Sequence, residues 1–387
     1  LLTLLRWGAE PLAFGPFRID ALALFLGAAV LLVSAVVHGF SLRFMDGDAR
    51  FAAFFPRLSA LAATVLLLLA TGSLSISSVI AGAAAANPLL VGAGCLLLGA
   101  AAAIQSGLFP FHRWLMSSMT APTPVSAFMH AGLVNAGGVL VARFAPAFEA
   151  VPAVLALVFL AGATSALFGA VAALAQTDVK RGLAASTTAQ MGFMLLQCGL
   201  GFHAAAMAHL VLHGMYKASL FLGAGSGLAQ AGRPGPAAAP SAGTLGITLA
   251  AAIAAGLGFA LTSGKADDGA GALLVLFAAL AAAQATMALA AQPLRVLRLA
   301  PLVMALAGAL YGALVAAAEA LLAGTPGLVA PQQMTALHIL VAIACVAVWL
   351  AVQAGLHRRS ALLYAWIVRL SQPVAATIND RRGAHHA

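Results

Sequence analysis

SGLFPFHRWLMSSMTAPTPVSAFMHAGLVNAGG, residues 106–138, lies between long apolar runs and yet carries two histidines, an arginine, an asparagine and three prolines. In hydrocarbon each of these groups is costly to bury unless it has a partner or a task. An interrupted helix at membrane depth is tolerated only where protein or a water-filled cavity satisfies its freed backbone groups. The stretch therefore reads as part of an ion path through a membrane.

Composition supports that reading. Of the 387 residues, 63% are hydrophobic and 7% are charged, against about 25% charged in an ordinary soluble domain. The apolar runs approach or exceed the roughly 18–20 residues that cross a bilayer core. They predict eleven spans, at 20–41, 55–73, 88–106, 123–142, 150–176, 181–200, 203–230, 242–263, 271–292, 297–323 and 335–356. The expected fold is an all-α integral membrane protein, a multi-pass bundle of about 11 transmembrane helices that includes discontinuous ones.

The net charge of +9 would suit a nucleic-acid surface, but its placement argues otherwise. Alternating the spans puts Arg43, Arg50, Arg57, Arg113, Lys180, Arg181, Arg233, Arg295, Arg298, Arg358, Arg359, Arg369, Arg381 and Arg382 on one side. Arg6, Arg18, Arg143 and Lys265 fall on the other, with Asp267 and Asp268 beside the last. The positive-inside rule then predicts an outer N-terminus and a cytoplasmic C-terminus in a cell (inner) membrane. Basicity here is topology, and no nucleic-acid partner is expected. Cys95, Cys198 and Cys345 sit far apart in apolar runs and read as small buried hydrophobes. Nothing ahead of the first span reads as a signal peptide, and a chain starting at Leu1 without methionine leaves room for sequence upstream.

Residues 1–19, with the turn-like GPFRID, suit an extracellular cap, and 20–230 forms the candidate conducting core. AGRPGPAAAPSAGT at 231–244 reads as a flexible cytoplasmic loop. Helices of Ala, Leu and Val then fill 245–356, with Glu319 and His338 as polar exceptions, so function is expected in the first two-thirds. The tail from 357 to 387 opens with an amphipathic pattern suited to an interfacial helix that docks a partner.

Three constellations carry chemistry. In the opening stretch, Pro122 and Pro124 break a helix or start one, and Gly132, Gly137 and Gly138 let another helix approach. His112 then reads as a surface entrance at the cytoplasmic end, and His130 as an inner relay beyond a break at the prolines, with Asn135 following. A lone helical histidine is as readily a structural hydrogen-bonder. In AAAMAHLVLHGMYKASLFL, His209, His213 and Lys217 recur every fourth residue, so one face carries three titratable groups within about 12 Å. Histidine changes charge near neutrality, which suits a proton ladder. A zinc site fits poorly, since no acid follows at ligand spacing and the lysine would repel the cation. In AQTDVKRGLAASTTAQMGF, Asp178, Lys180 and Arg181 mark a cytoplasmic span end, and Ser186, Thr187, Thr188 and Gln190 line the next span or serve as packing glue. The glycines of GAGSGL at 223–228 read as helix packing, because no strand precedes them. No Walker loop, nucleophile elbow or hydrolytic carboxylate pair is present. The chain reads as a transporter subunit without covalent catalysis, cofactor or metal of its own.

FPFHRWL, APTPVSAFMHAG, AQTDVKRGLAASTTAQMGF and HLVLHGMYKASLFLGAGS, in that order, resemble the proton-translocating antiporter-like family. That family comprises complex I antiporter-like subunits, Mrp sodium/proton antiporters and the membrane subunits of DAB-type dissolved-inorganic-carbon pumps. IDALALFLGAAVLLVSAVVHGFSLRFMDGDARFAAFF looks like its early helices. The resemblance implies discontinuous helices and a chain of Lys, His and Glu residues conducting ions. Carried across, the central histidine matches His130, the loop acid and base match Asp178 and Lys180, and the later histidine pair and lysine match His209, His213 and Lys217. Two departures stand out. Gln105 replaces a buried lysine, and the helix with the Gly-Trp-Glu acid is missing after LLLLATGSLSISSV. QSGLFPFHRW, MHAGLVNAGG and the tail LLYAWIVRLSQP look closer to the DAB-type subunits. That implies a large cytoplasmic partner with a carbonic-anhydrase-like zinc site, while this chain supplies H+ or Na+ flux for bicarbonate or CO2 accumulation. The alternative is a complex I or Mrp-type subunit. The expected ion path is His112, His130, Asp178, Lys180, His209, His213 and Lys217, with Gln105, Asn135, Glu319 and His338 as secondary candidates.

Overall fold

A computed structural model describes residues 12–14, 17–19, 88–224, 241–266, 269–290 and 293–372. The expected spans 20–41 and 55–73, Asp267 and Asp268, most of the 231–244 loop and the tail beyond 372 lie outside the described residues. Within the expected N-terminal cap, β1 (Leu12–Phe14) and β2 (Phe17–Ile19) pair antiparallel, with Leu12 opposite Ile19. Every other element among the described residues is helical.

The expected span 88–106 is α1 (Pro88–Gln105). After the short α2 (Arg113–Ser117), the span 123–142 appears as two helices, α3 (Thr123–Ala131) and α4 (Ala136–Arg143), joined by a 3-10 turn at Leu133–Asn135. A five-residue α5 (Ala145–Glu149) precedes α6 (Pro152–Leu174), α7 (Val179–Gly199) and α8 (His203–Gly223). Then come α9 (Ala242–Ser263), α10 (Gly271–Ala288), the short α11 (Leu294–Leu297), α12 (Ala300–Leu322) and α13 (Ala336–Gln353). The tail supplies α14 (Leu356–Arg359) and α15 (Ala361–Leu370). Among the described residues, six segments are long and apolar enough to cross a membrane, including Thr123–Arg143, α6, α9 and α13. α7 and α8 have the length, at 21 residues each, but the polar residues of the candidate path dilute them.

Local chemistry sets these boundaries. Asp178 caps α7 by accepting from the Arg181 amide at 2.8 Å, and Ser241 caps α9 by accepting from the Thr244 amide at 3.1 Å. α9 ends at Gly264, whose φ of 67° is a left-handed conformation open to glycine. Pro122 caps α3 and Pro124 lies in its first turn. The two prolines therefore start a helix. The interruption comes after His130, where Gly132 closes α3, and not before it as the proline reading placed it.

The chain divides into two compact units. One comprises Leu1–Gly227, Leu321–Ala330 and Val348–Ala387, and the other Leu228–Ala320 and Pro331–Ala347. In the first, Phe148, Leu155, Val141, Met191 and Met194 anchor one apolar core, and Met116, Phe128, Ala185, Phe221 and Ile367 another. In the second, α9 packs on α10, with Gly256 against Val275 and Ala279.

α6 and α7 are in backbone contact. A Cβ on Gly162 would stand 2.5 Å from the Leu196 amide nitrogen, and one on Gly192 would stand 2.5 Å from that of Ala166. Gly169 meets Ala189 in the same antiparallel register. Small residues let membrane helices touch backbone to backbone, where dispersion and packing replace the missing hydrophobic drive. Gly137 and Gly138 serve the same end for α4, facing Ala102 and Ser106 of the α1 end and Met194 of α7. A Cβ on Gly223 would meet nothing within 4 Å, so close helix approach does not account for that glycine. A Gly192→Leu change should force α6 and α7 apart at a cost of about 1–3 kcal/mol or more. The check is a lowered unfolding midpoint of the purified protein in detergent, with Gly223→Leu close to the parent.

Candidate functional site

The site is built on the first two turns of α7, which carry hydroxyls where a spanning helix would ordinarily carry methyls. The Ser186 hydroxyl donates to the Leu183 carbonyl at 3.0 Å, and the Thr187 hydroxyl donates to the same oxygen at 2.9 Å. The Lys217 ammonium on α8 donates to that carbonyl at 2.9 Å and to the Ser186 hydroxyl oxygen at 2.5 Å. On the other flank, His130 Nδ1 lies 3.0 Å from Thr187 Oγ1. One carbonyl thus gathers two hydroxyls and an ammonium, and a histidine joins through one of the hydroxyls.

Proton counting assigns the tautomer. Thr187 spends its only hydroxyl proton on Leu183, so its oxygen accepts from Nδ1–H of His130. The neutral ring then has a bare Nε2, which is buried with no hydrogen-bond partner in the protein. His130 and Lys217 are both 0% exposed. The imidazole stacks on Phe221, with centroids 4.4 Å apart, so α3 and α8 hold it from both sides.

His209 and His213 stack at 6.1 Å, one turn further along α8, and Phe193 packs on His209 at 5.3 Å. Both ring nitrogens of His213 are buried without a protein partner. His209, His213 and Lys217 do lie along one side of α8, as their spacing requires, with no direct hydrogen bond among them in the structure.

Other expected residues have different surroundings. Asp178 is the α7 cap, and Lys180 donates to the Ala121 carbonyl at 2.6 Å, tying the start of α7 to the start of α3. His112 is 3% exposed, so it is not the surface entrance that its position beside Arg113 suggested. Its Nε2 donates to the Leu370 carbonyl at 2.9 Å, and its ring packs on Phe168 under α15. Burial holds the His112 pKa below the ordinary range, with Arg113 adding to the effect and the Leu370 bond opposing it. Gln105 donates to the Leu133 carbonyl at 3.3 Å, and Asn135 to the Ala131 carbonyl at 2.7 Å, so both serve the interrupted helix. Thr188 bonds the Gly107 carbonyl as packing glue, and Gln190 is exposed. Glu319 and His338 belong to the second unit. Lys265, in the loop between α9 and α10 as expected, is 6% exposed and paired with Glu319 at 2.9 Å. His338 Nδ1 takes up the Thr335 amide at 3.1 Å at the head of α13.

Two residues that motif reading passed over are placed prominently. His203 is 0% exposed, and neither ring nitrogen has a partner among the described residues. The signal was available, because 203 precedes 217 by nearly four helical turns and shares its side of α8. Glu149 Oε1 is likewise buried without a protein partner. No group of three or more metal-ligating side chains exists among the described residues.

The NADH:quinone oxidoreductase/Mrp antiporter transmembrane family model matches residues 47–233, and the model for the N-terminus of complex I chain 5 matches 14–55. Together the two matches run from residue 14 to residue 233, and over that stretch the chain is similar to this antiporter-like membrane family. It is 31% identical over 290 residues to the probable inorganic carbon transporter subunit DabB1 of Halothiobacillus neapolitanus, covering 58% of this chain and 52% of that protein. Against the probable inorganic carbon transporter subunit DabB of Bacillus subtilis it is 53% identical over 135 residues, covering 35% and 26%. Against the chloroplastic NAD(P)H-quinone oxidoreductase subunit 5 of Zygnema circumcarinatum it is 46% identical over 142 residues, covering 36% and 20%. The chain spans about half the length of the first of these relatives and less of the others. A chain in the structure of the Mrp complex from Dietzia sp. DQ12-45-1b shares the fold, with a TM-score of 0.54 at 24% identity, covering 97% of this chain and 53% of that one.

Thr187→Val keeps the side-chain shape but removes the acceptor for His130 Nδ1–H. An unpaired buried donor costs about 1–3 kcal/mol, so the unfolding midpoint should fall. Thr187→Ser should restore most of it, as read by thermal unfolding of the three proteins side by side.

Proposed function

We propose that this chain is the cation-conducting (H+ or Na+) membrane subunit of a pump that accumulates inorganic carbon as bicarbonate or CO2. The observation that carries the conduction reading is the chain of contacts from His130 through Thr187 and the Leu183 carbonyl to Lys217 and Ser186. Charged and titratable groups at membrane depth are expensive and mark ion pathways by default. Similarity to proteins named as inorganic carbon transporter subunits supports the cargo.

Within this reading, a proton arriving at His130 adds to the bare Nε2 and leaves the Nδ1–H bond to Thr187 intact. The imidazole can therefore gain and lose charge without unmaking the network that holds it. Lys217 is held by two acceptors on α7, and His213 and His209 continue the row along α8. Arg113, Lys180, Arg181 and Arg369 lie near one end of the first unit. By the positive-inside rule that end is cytoplasmic, which puts the C-terminus inside and the N-terminus outside.

The zinc chemistry is assigned to a large cytoplasmic, carbonic-anhydrase-like partner, and this chain needs no cofactor of its own. The tail offers a surface for such a partner. α15 buries Ile367 in its own chain and turns Leu362 (86% exposed) and Trp366 (57% exposed), one turn apart, away from it. Similarity to the chloroplastic quinone oxidoreductase subunit favours the second reading, a complex I or Mrp-type subunit. Co-purification separates the two: a zinc-containing soluble subunit supports the first, and quinone-reductase or Mrp subunits overturn it.

Lys217→Met should leave the complex assembled and abolish ion-dependent inorganic carbon uptake in cells that depend on it. Full uptake by that variant removes Lys217 from the path.

The double change Leu362→Glu, Trp366→Glu should leave the protein inserted yet release the zinc-containing partner on purification. Deleting the whole tail is a poorer test, because it also strips Ile367 from the core and the Leu370 carbonyl from His112. A partner retained by the double variant docks elsewhere.

A further inference from the structure

We propose that His203 and Glu149 form the second mouth of the ion path, at the end of the first unit opposite Lys180. The inference rests on reading the bundle as an ion conductor.

Two ends of this unit are fixed by contacts. At one, Lys180 reaches the Ala121 carbonyl, His112 reaches the Leu370 carbonyl, and Gln176 donates to the Ser371 hydroxyl at 2.7 Å. α6 runs toward that end and α7 runs away from it, so the start of α6, the end of α7 and the start of α8 share the other. His203 opens α8 there, and Glu149 closes α5 just ahead of α6.

The segment 321–330 straps this far end. The Ala204 amide donates to the Leu328 carbonyl at 2.9 Å, and the Ala330 amide donates to the Gly201 carbonyl at 3.0 Å. Leu322 and Leu328 anchor the strap in the apolar core beside Phe148. Gly327 adopts φ 74°, and a Cβ there would stand 2.8 Å from Glu149 Oε1 and 3.0 Å from Pro146. The strap thus bonds the chain on either side of His203, at Gly201 and Ala204, and passes the carboxyl of Glu149 at Gly327.

Neither group is there for stability. A buried polar atom without a partner costs about 1–3 kcal/mol, and His203 presents two such atoms and Glu149 one. Apolar residues would fold as well. The path gives them a use. His203 lies about 9 Å along the helix axis from His209 and about 21 Å from Lys217, at 1.5 Å per residue. With His203 added, the titratable groups on α8 extend over about two-thirds of a 30 Å hydrocarbon core, His203 standing about 120° around the helix from His209. Glu149, only partly exposed, then stands between the row and the aqueous face. A carboxyl kept in reach of its neutral form can pass a proton on, and burial does raise the Glu149 pKa.

Sidedness and flux test this together, in vesicles holding the assembled complex. Cys95, Cys198 and Cys345 are buried, so labelling background is low. Glu149→Cys should react with a membrane-impermeant methanethiosulfonate from the side opposite that which labels Lys180→Cys. His203→Gln and Glu149→Gln should each slow cation flux on the order of 10–100-fold, and Glu149→Asp should recover most of the loss. Labelling of both cysteines from one side, or full flux in both glutamine variants, overturns the second mouth. If His203→Gln fails to assemble, Glu149→Gln and the labelling decide. A parent complex that carries no cation, or a Lys217→Met complex with full flux, sinks the conductor reading instead, and the sidedness result still judges the mouth.

Discussion

The first unit turns on one oxygen. The Leu183 carbonyl accepts from Ser186, Thr187 and Lys217, and through Thr187 it also holds His130. An ammonium at 0% exposure is among the least affordable groups in a membrane protein unless it is well bonded. Here its acceptors are neutral, a carbonyl and a hydroxyl, and no carboxylate appears among its hydrogen-bond partners. Neutral acceptors can hold either form of an amine, whereas a carboxylate partner would bind the charged form in place. The arrangement suits a group that must change protonation state.

That oxygen is useful only if α7 stays where it is. α6 fixes it through the Gly162 and Gly192 contacts, which bring the two backbones into touch and leave no slack for α7 to slide. The Asp178 cap and the Lys180 bond to Ala121 then fix where α7 begins relative to α3. Because α3 also carries His130, one set of contacts sets the distance between the histidine and the carbonyl. Packing by small residues and placement of the polar chain are two parts of the same constraint.

How much of this was legible in the sequence follows from the range of each interaction. Helix positions from 88 onward came from apolar run lengths, a local property, and the structure differs mainly at their ends. The His209, His213, Lys217 row came from helical spacing, and its geometry follows from the backbone alone. His112 failed because its acceptor lies 258 residues away on α15, and nothing near Arg113 says that the tail returns to cover it. Lys265 looked like a loop charge beside two aspartates until Glu319 came back to meet it. His203 was missed for a different reason: six residues before His209, it falls outside the four-residue spacing that drew attention to its neighbours.

The interrupted helix shows how the polar stretch at 106–138 holds together. α3 ends at Gly132 and α4 starts at Ala136, so the turn between them frees carbonyls at a depth where lipid offers no donor. The Ala131 carbonyl is taken by the Asn135 amide, the Leu133 carbonyl by Gln105, and the Val134 carbonyl by the Ser106 hydroxyl at 2.7 Å. Each donor is neutral and short, so the break closes without adding charge. This accounts for Gln105 physically: its amide reaches a carbonyl that the break exposes. Asn135 and Ser106 are likewise the scaffold of the break and not links in the relay. The interruption therefore lets α3 stop one residue past His130, leaving that ring at the end of a helix with one nitrogen bonded and the other open.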